Sequence, residues 1–174
     1  FAAHGIPMLL LTKAAAWAHL DQDRYLDVLK STQACVECTI TGDNEVGLRE
    51  WEPNAPSVSD RFAFVRQLAG EGIHCSVNCV PLIPTVSFQG PWDEAETYRP
   101  FIERARDAGA RAVMMGGLCF NKGEVKSLPQ KVKLFCAEQR QWWHSALDTP
   151  WRFFMADPSI EQHVGGLWKA EAAR

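Results

Sequence analysis

The side chains that could do chemistry fall at the ends of four apolar runs. Thr12 and Lys13 close the first, Thr39 and Thr41 the second, and Asn78 and Pro81 the third. Gly116, Gly117 and Asn121 follow the fourth. Together they supply hydroxyls, amides, one cation, and two glycines beside which a flat ligand can approach the backbone. Such a set can bind a polar ligand, but it contains no convincing acid-base pair. Lys13 admits three readings: a Schiff-base lysine, a ligand contact, or a structural salt bridge. The sequence leaves all three open. His4, His19, His74, His144 and His163 are scattered and have no carboxylate partner in a recognisable motif, so no hydrolytic triad is expected. Cys35-x-x-Cys38 with Cys75-x-x-x-Cys79 has the outline of a four-thiolate metal set. Residues three apart on a strand face opposite sides, however, so these cysteines read as core residues and no metal ligand is expected among them.

The elements that must position the rim are strands and helices in alternation. Residues 6–11 form a short continuous apolar run, the signature of a strand buried on both faces, and Gly5 before it reads as the C-cap of a preceding helical turn. A helix is expected over 14–33, with Trp17, Leu20, Tyr25, Val28 and Leu29 on its buried side. Residues 34–41 read as a second strand, followed by a turn at Gly42-Asp43-Asn44. The stretch Arg49 to Pro56 is irregular because of Pro53 and Pro56. Ser57-Val58-Ser59-Asp60 then looks like a capping box opening a helix with Phe62, Val65, Leu68 and Ala69 toward the core. The third strand is expected over 73–80 and leaves at Pro81-Leu82-Ile83-Pro84. A helix over 94–108 precedes the fourth strand, at 111–116. Four strand-helix units with no hairpin signal predict parallel strands, in a doubly wound sheet or a (β/α) barrel. In both architectures the ligand lies beyond the carboxyl ends of the strands.

Composition bounds the remaining choices. The chain has 174 residues, is 47% hydrophobic and 22% charged, and has a net charge of −3. That supports one globular unit and gives no global electrostatic reason for a nucleic-acid partner. No run approaches the roughly 20 apolar residues of a membrane span. Cysteines placed inside strands suggest a reducing, cytoplasmic setting. Residues 129–147 read as a helix, and residues 148–174 as an aromatic-rich tail beyond an α/β unit at 1–147.

The order of the motifs also carries a family likeness. Leu11-Thr12-Lys13, Thr39-Ile40-Thr41, Glu52-Pro53-Asn54-Ala55-Pro56-Ser57 with Arg61, Asn78-Cys79-Val80-Pro81-Leu82-Ile83-Pro84 and Ala108-Gly109-Ala110-Arg111 follow one another at compatible spacing. This series resembles the later half of the radical S-adenosylmethionine (SAM) superfamily core, in particular the branch of spore photoproduct lyase and DNA-repair-photolyase-like proteins. The likeness spans about residues 5 to 135.

The resemblance implies the later part of a partial (β/α)6, TIM-like barrel that holds SAM and a [4Fe-4S] cluster and supports 5′-deoxyadenosyl radical chemistry. Lyase-type repair of nucleic-acid lesions is among the activities it implies, so nucleic acid enters as a partner on this ground alone. By motif position, Lys13 and Thr39 match SAM contacts, Thr39 keeping the hydroxyl of a serine. Thr41, Glu52, Arg61 and Asn78 are expected to support the same pocket. The Cys-x3-Cys-x2-Cys cluster motif is absent, since Leu82 stands three residues after Cys75-x3-Cys79. The cluster ligands are therefore expected upstream of Phe1, in an N-terminal half that would be the chain's first partner, and no catalytic residue is expected here. Two other readings stand beside this one: a non-redox nucleotide-binding half-barrel, and a (β/α) barrel enzyme using Lys13 as a Schiff base.

Overall fold

The computed structural model describes residues 1–15, 21–83, 86–90 and 95–117, together with two short strands at Trp143–His144 and Met155–Ala156. The N-terminal turn is a 3-10 helix at Ala2–His4, closed by Gly5 at φ 61. Strand β1 (Leu9–Thr12) follows, then helix α1 (Gln22–Ser31), β2 (Cys35–Thr39), α2 (Glu45–Trp51), α3 (Val58–Gly70), β3 (His74–Leu82), α4 (Ala95–Asp107) and β4 (Ala112–Gly117). The four strands form one parallel sheet in sequence order, β1-β2-β3-β4. That order matches the expected succession of strand-helix units. Strands β5 (Trp143–His144) and β6 (Met155–Ala156) pair antiparallel. Residues 143–144 fall inside the stretch expected to be helical, where an aromatic run favours extended backbone. The remainder of that expected helix and of the aromatic tail lies outside the described residues, as does Asn121.

The sheet has two unlike faces. Side chains alternate along a strand, so the register places Met8, Val36, Cys38, Cys75, Val77, Cys79, Val113 and Met115 on one face. All of them belong to the hydrophobic core or pack against it, together with Leu26 and Leu29 of α1, Leu48 of α2, Phe62, Val65 and Leu68 of α3, and Phe101, Ile102 and Ala105 of α4. The opposite face carries Leu9, Leu11, Cys35, Glu37, Thr39, Ser76, Asn78 and Met114, none of which belongs to that core.

Several local expectations change. The helix after β1 does not run from residue 14: residues 13–15 are not helical, and α1 begins at Gln22, where the Asp21 carboxylate accepts the Arg24 N–H at 3.2 Å. A side-chain cap of this kind fixes where a helix starts. Leu26 and Leu29 are its buried residues, Tyr25 is exposed, and Trp17 and Leu20 lie outside the described residues. Strand β1 was expected to be buried on both faces. Instead Leu9, Leu10 and Leu11 are 57%, 39% and 57% exposed, because among the described residues β1 is an edge strand paired only with β2. Helix α2 occupies a stretch for which no helix was expected. It is capped by Asn44, whose Oδ1 accepts from Gly47 N at 3.2 Å and from Gln89 Nε2 at 3.0 Å.

Candidate functional site

Rim geometry begins with the loop after β2. Gly42 has φ 151, and a Cβ there would stand 1.9 Å from the Ser87 carbonyl oxygen, so only glycine lets the two backbones meet. The same carbonyl accepts from Asp43 N at 3.0 Å and Asn44 N at 3.1 Å. Phe88, stacked edge-on against Tyr98 and Phe101 at 5.1 and 5.3 Å, anchors this second loop on α4. With both loops clamped, Thr41 is buried at a fixed point above the end of β2.

Glu52 is the hub of the site. It follows α2, and its Oε1 accepts from Lys13 Nζ and from Thr41 Oγ1, the latter at 3.1 Å. Oε2 accepts from Arg61 Nη1 at 2.9 Å, and the same Nη1 donates to the Thr39 carbonyl at 2.9 Å. Arg61 is carried on the first turn of α3. The Ser57 hydroxyl fixes that turn by accepting from Asp60 N at 3.0 Å, the N-cap half of the expected capping box, while the Asp60 carboxylate accepts from the Ser57 hydroxyl at 2.6 Å in place of the Ser57 N–H. Val58 N donates to Glu45 Oε2 at 2.8 Å, which ties the start of α3 to α2.

Electrostatics explain why the hub holds together. Burial alone would raise the Glu52 carboxyl above its ordinary value, but the Lys13 hydrogen bond and charge and the Arg61 guanidinium outweigh it and leave it lowered. Arg61 is only 2% exposed, so the pair is a buried ion pair, whereas Lys13 remains 45% exposed at its end. Lys13, Ala14, Trp51, Glu52, Pro53, Asn54, Ala55 and Pro56 line an open cleft of roughly 490 Å³. Arg61 is buried behind Glu52 and does not line the cleft, so the partly exposed Lys13 ammonium is the cation the cleft offers to an anionic group.

Five of the six residues expected at the SAM pocket therefore meet in one network. Lys13, Thr41, Glu52 and Arg61 join it through side chains, and Thr39 through its carbonyl. Asn78 is opposite Thr39 in the β2-β3 register and receives no bond from the hub; its Oδ1 is buried and unpartnered. Glu37 and Ser76, one register step earlier on the same face, were not singled out, although polar residues alternate along both strands as Glu37, Thr39 and His74, Ser76, Asn78.

Cys38, Cys75 and Cys79 behave as core, as expected, whereas Cys35 is half-buried on the opposite face of the sheet and does not. Burial pushes the Cys38 thiol up to about 11 and the Cys75 thiol up to about 12, and burial followed by the Asp43 and Glu52 charges pushes Cys79 up further. Among the described residues no group of three or more His, Cys, Asp or Glu side chains could hold a metal ion, and no helix is long and apolar enough to cross a membrane. The chain matches no model of a known protein family and no curated protein.

Proposed function

We propose that this chain is the SAM-holding part of a radical SAM enzyme, with the Lys13-Glu52-Arg61 network at the carboxyl ends of β1 and β2 as the floor of the SAM site. The observation that carries the reading is the convergence of Lys13, Thr41, Glu52 and Arg61, drawn from three separate motifs, on one carboxylate. The one-sided packing of α1 to α4 on a parallel sheet supports a partial barrel over a doubly wound sheet, which needs helices on both faces.

The residues fit SAM. Lys13, held by Glu52 at the mouth of the cleft, suits the carboxylate of the methionyl part, while the Thr39 hydroxyl and the Asn78 amide lie on the neighbouring strand ends. Reduced SAM would supply a 5′-deoxyadenosyl radical, and the protein would bind, orient and shield. Cys38, Cys75 and Cys79 lie in the helix-covered core with their thiols pushed up and do not fit an iron-sulfur cluster, so in this reading the cluster is held by ligands outside the described residues. Lys13 donating to a carboxylate, rather than desolvated among apolar groups, weighs against the Schiff-base reading.

The test is anaerobic iron-sulfur reconstitution of the protein with its upstream sequence, then reduction in the presence of SAM. Formation of 5′-deoxyadenosine supports the reading. SAM binding without cleavage would instead make the chain a non-redox nucleotide-binding half-barrel.

A further inference from the structure

The sheet face turned away from the helices is built unlike a core. Parallel sheets are ordinarily covered on both sides, and their strands read as apolar throughout. Here the two central strands place four polar side chains on one face: Glu37 opposite Ser76, and Thr39 opposite Asn78. Partners on adjacent strands are about 4.8 Å apart and successive same-face residues about 6.6 Å, so all four side chains can reach one ligand group above the sheet. Leu11 flanks the cluster on β1 and Met114 on β4, and both are exposed.

Two atoms on this face point to a ligand. Ser76 is 6% exposed and its Oγ has no hydrogen-bond partner, and the buried Oδ1 of Asn78 has none either. A buried polar atom left unpaired costs roughly 1 to 3 kcal/mol, so side-by-side orphans on one strand are an unusual expense unless a ligand satisfies them. Half-buried Glu37 makes no ion pair with any described residue, while Lys13 and Arg61, the nearby cations of the rim, are both engaged by Glu52. A carboxylate, an amide oxygen and two hydroxyls form an acceptor-rich, negatively charged patch. The complementary group is a compact cation with several hydrogen-bond donors.

We infer that this face binds an organic ammonium group, with Glu37 as its counter-ion and Ser76 Oγ, Asn78 Oδ1 and the Thr39 hydroxyl as its acceptors. The site shares Thr39 and Asn78 with the proposed SAM site, but it is carried by Glu37 and Ser76, which lie outside the Lys13 network, and it stands if the SAM reading fails. It describes a ligand bearing a primary amine, held over the centre of the sheet.

The experiment is a titration of the chain with ethylammonium, followed through the amide signals of Glu37, Ser76 and Asn78 by nuclear magnetic resonance. Its neutral isostere ethanol and acetate serve as comparison probes. Saturable shifts with ethylammonium alone are expected. Glu37→Gln should weaken binding on the order of 10-fold, the loss of one charge-assisted contact, and Ser76→Ala by a few-fold. Ser76→Ala removes only an unpartnered hydroxyl, so it should fold at least as well as the parent and keep the test decisive if Glu37→Gln does not fold. No saturable shift, equal response to ethanol, or undiminished affinity in the folded variants would overturn the inference. Ethylammonium binding by a protein that fails to bind SAM would leave this site standing and remove the proposed function.

Discussion

Arg61 and Glu52, nine positions apart, form a buried ion pair at 2.9 Å in which the guanidinium also reaches the Thr39 carbonyl. A pair of this kind is costly to break from one side. Glu52→Gln would leave Arg61, 2% exposed, without its counter-charge, and one-sided removal of a buried partner costs about 3 to 5 kcal/mol. Lys13→Met, at the exposed end of the same hub, should cost less than about 1 kcal/mol. Urea unfolding of the two variants measures the difference, and equal midpoints would show that the hub does not hold the rim together.

Glu52 also sets an acid dependence. Its folded carboxyl titrates below the unfolded value, near 4.3. The folded state therefore gains stability above that value and loses it as pH falls through the lower folded one. Asp43 acts in the opposite sense: burial raises its carboxyl, so its ionisation weakens the fold as pH rises through the window above its unfolded value, near 3.9. Unfolding free energies at pH 3 and pH 7 should show a steeper acid loss for the parent than for Glu52→Gln. Asp43→Asn should gain stability at pH 7 and none at pH 3.

The thiols offer an independent check on the core. Cys38 and Cys75, at about 11 and about 12, and Cys79 above them are protonated and enclosed at pH 8. Among the four described cysteines, a thiol reagent should modify half-buried Cys35 first and reach Cys38, Cys75 and Cys79 only with unfolding, the labelled positions being read by peptide mass mapping. Fast labelling of Cys79 in the folded chain would mean that the helix-covered face is open.

How much of this was legible follows from which interactions are local. Strands β2 and β3, α3 and its Ser57 cap, and the parallel order rest on periodicity and capping chemistry within a few residues, and they were read nearly to their ends. Helix α2 was not. Its Val46 and Gly47 are poor helix formers, and what holds it, Gln89 on Asn44 and burial of Leu48, is tertiary. Lys13, Thr39 and Thr41 were legible because they lie at strand ends, and Glu52 and Arg61 only through the family likeness; the convergence on Glu52 was not legible, since Lys13 lies 39 positions from it. The exposure of Leu9 to Leu11 was hidden for a related reason: an apolar run reports what a strand needs, not which neighbour supplies it.

That exposed run makes a prediction of its own. Among the described residues strand β1 has no partner on its outer edge, and it presents three accessible leucines, a recognised route to strand-to-strand association. The 174-residue chain should self-associate in sedimentation velocity. Leu9→Lys with Leu11→Lys should reduce this without altering the far-ultraviolet circular dichroism. A monomeric parent would show that the edge is already protected.

The central claim, that Lys13 at the end of β1 holds the carboxylate of SAM, is tested most directly by calorimetric titration of SAM, under anaerobic conditions, into the parent and three variants. Because Lys13 is shared with Glu52, Lys13→Ala should remove a charge-assisted hydrogen bond at the lower end of its range, about 1.5 kcal/mol or roughly tenfold in affinity. Thr39→Ala should cost on the order of 1 kcal/mol, and Thr39→Ser should be nearly silent because the hydroxyl is kept. Equal affinity of Lys13→Ala and the parent, or no SAM binding by a folded parent, would contradict the account.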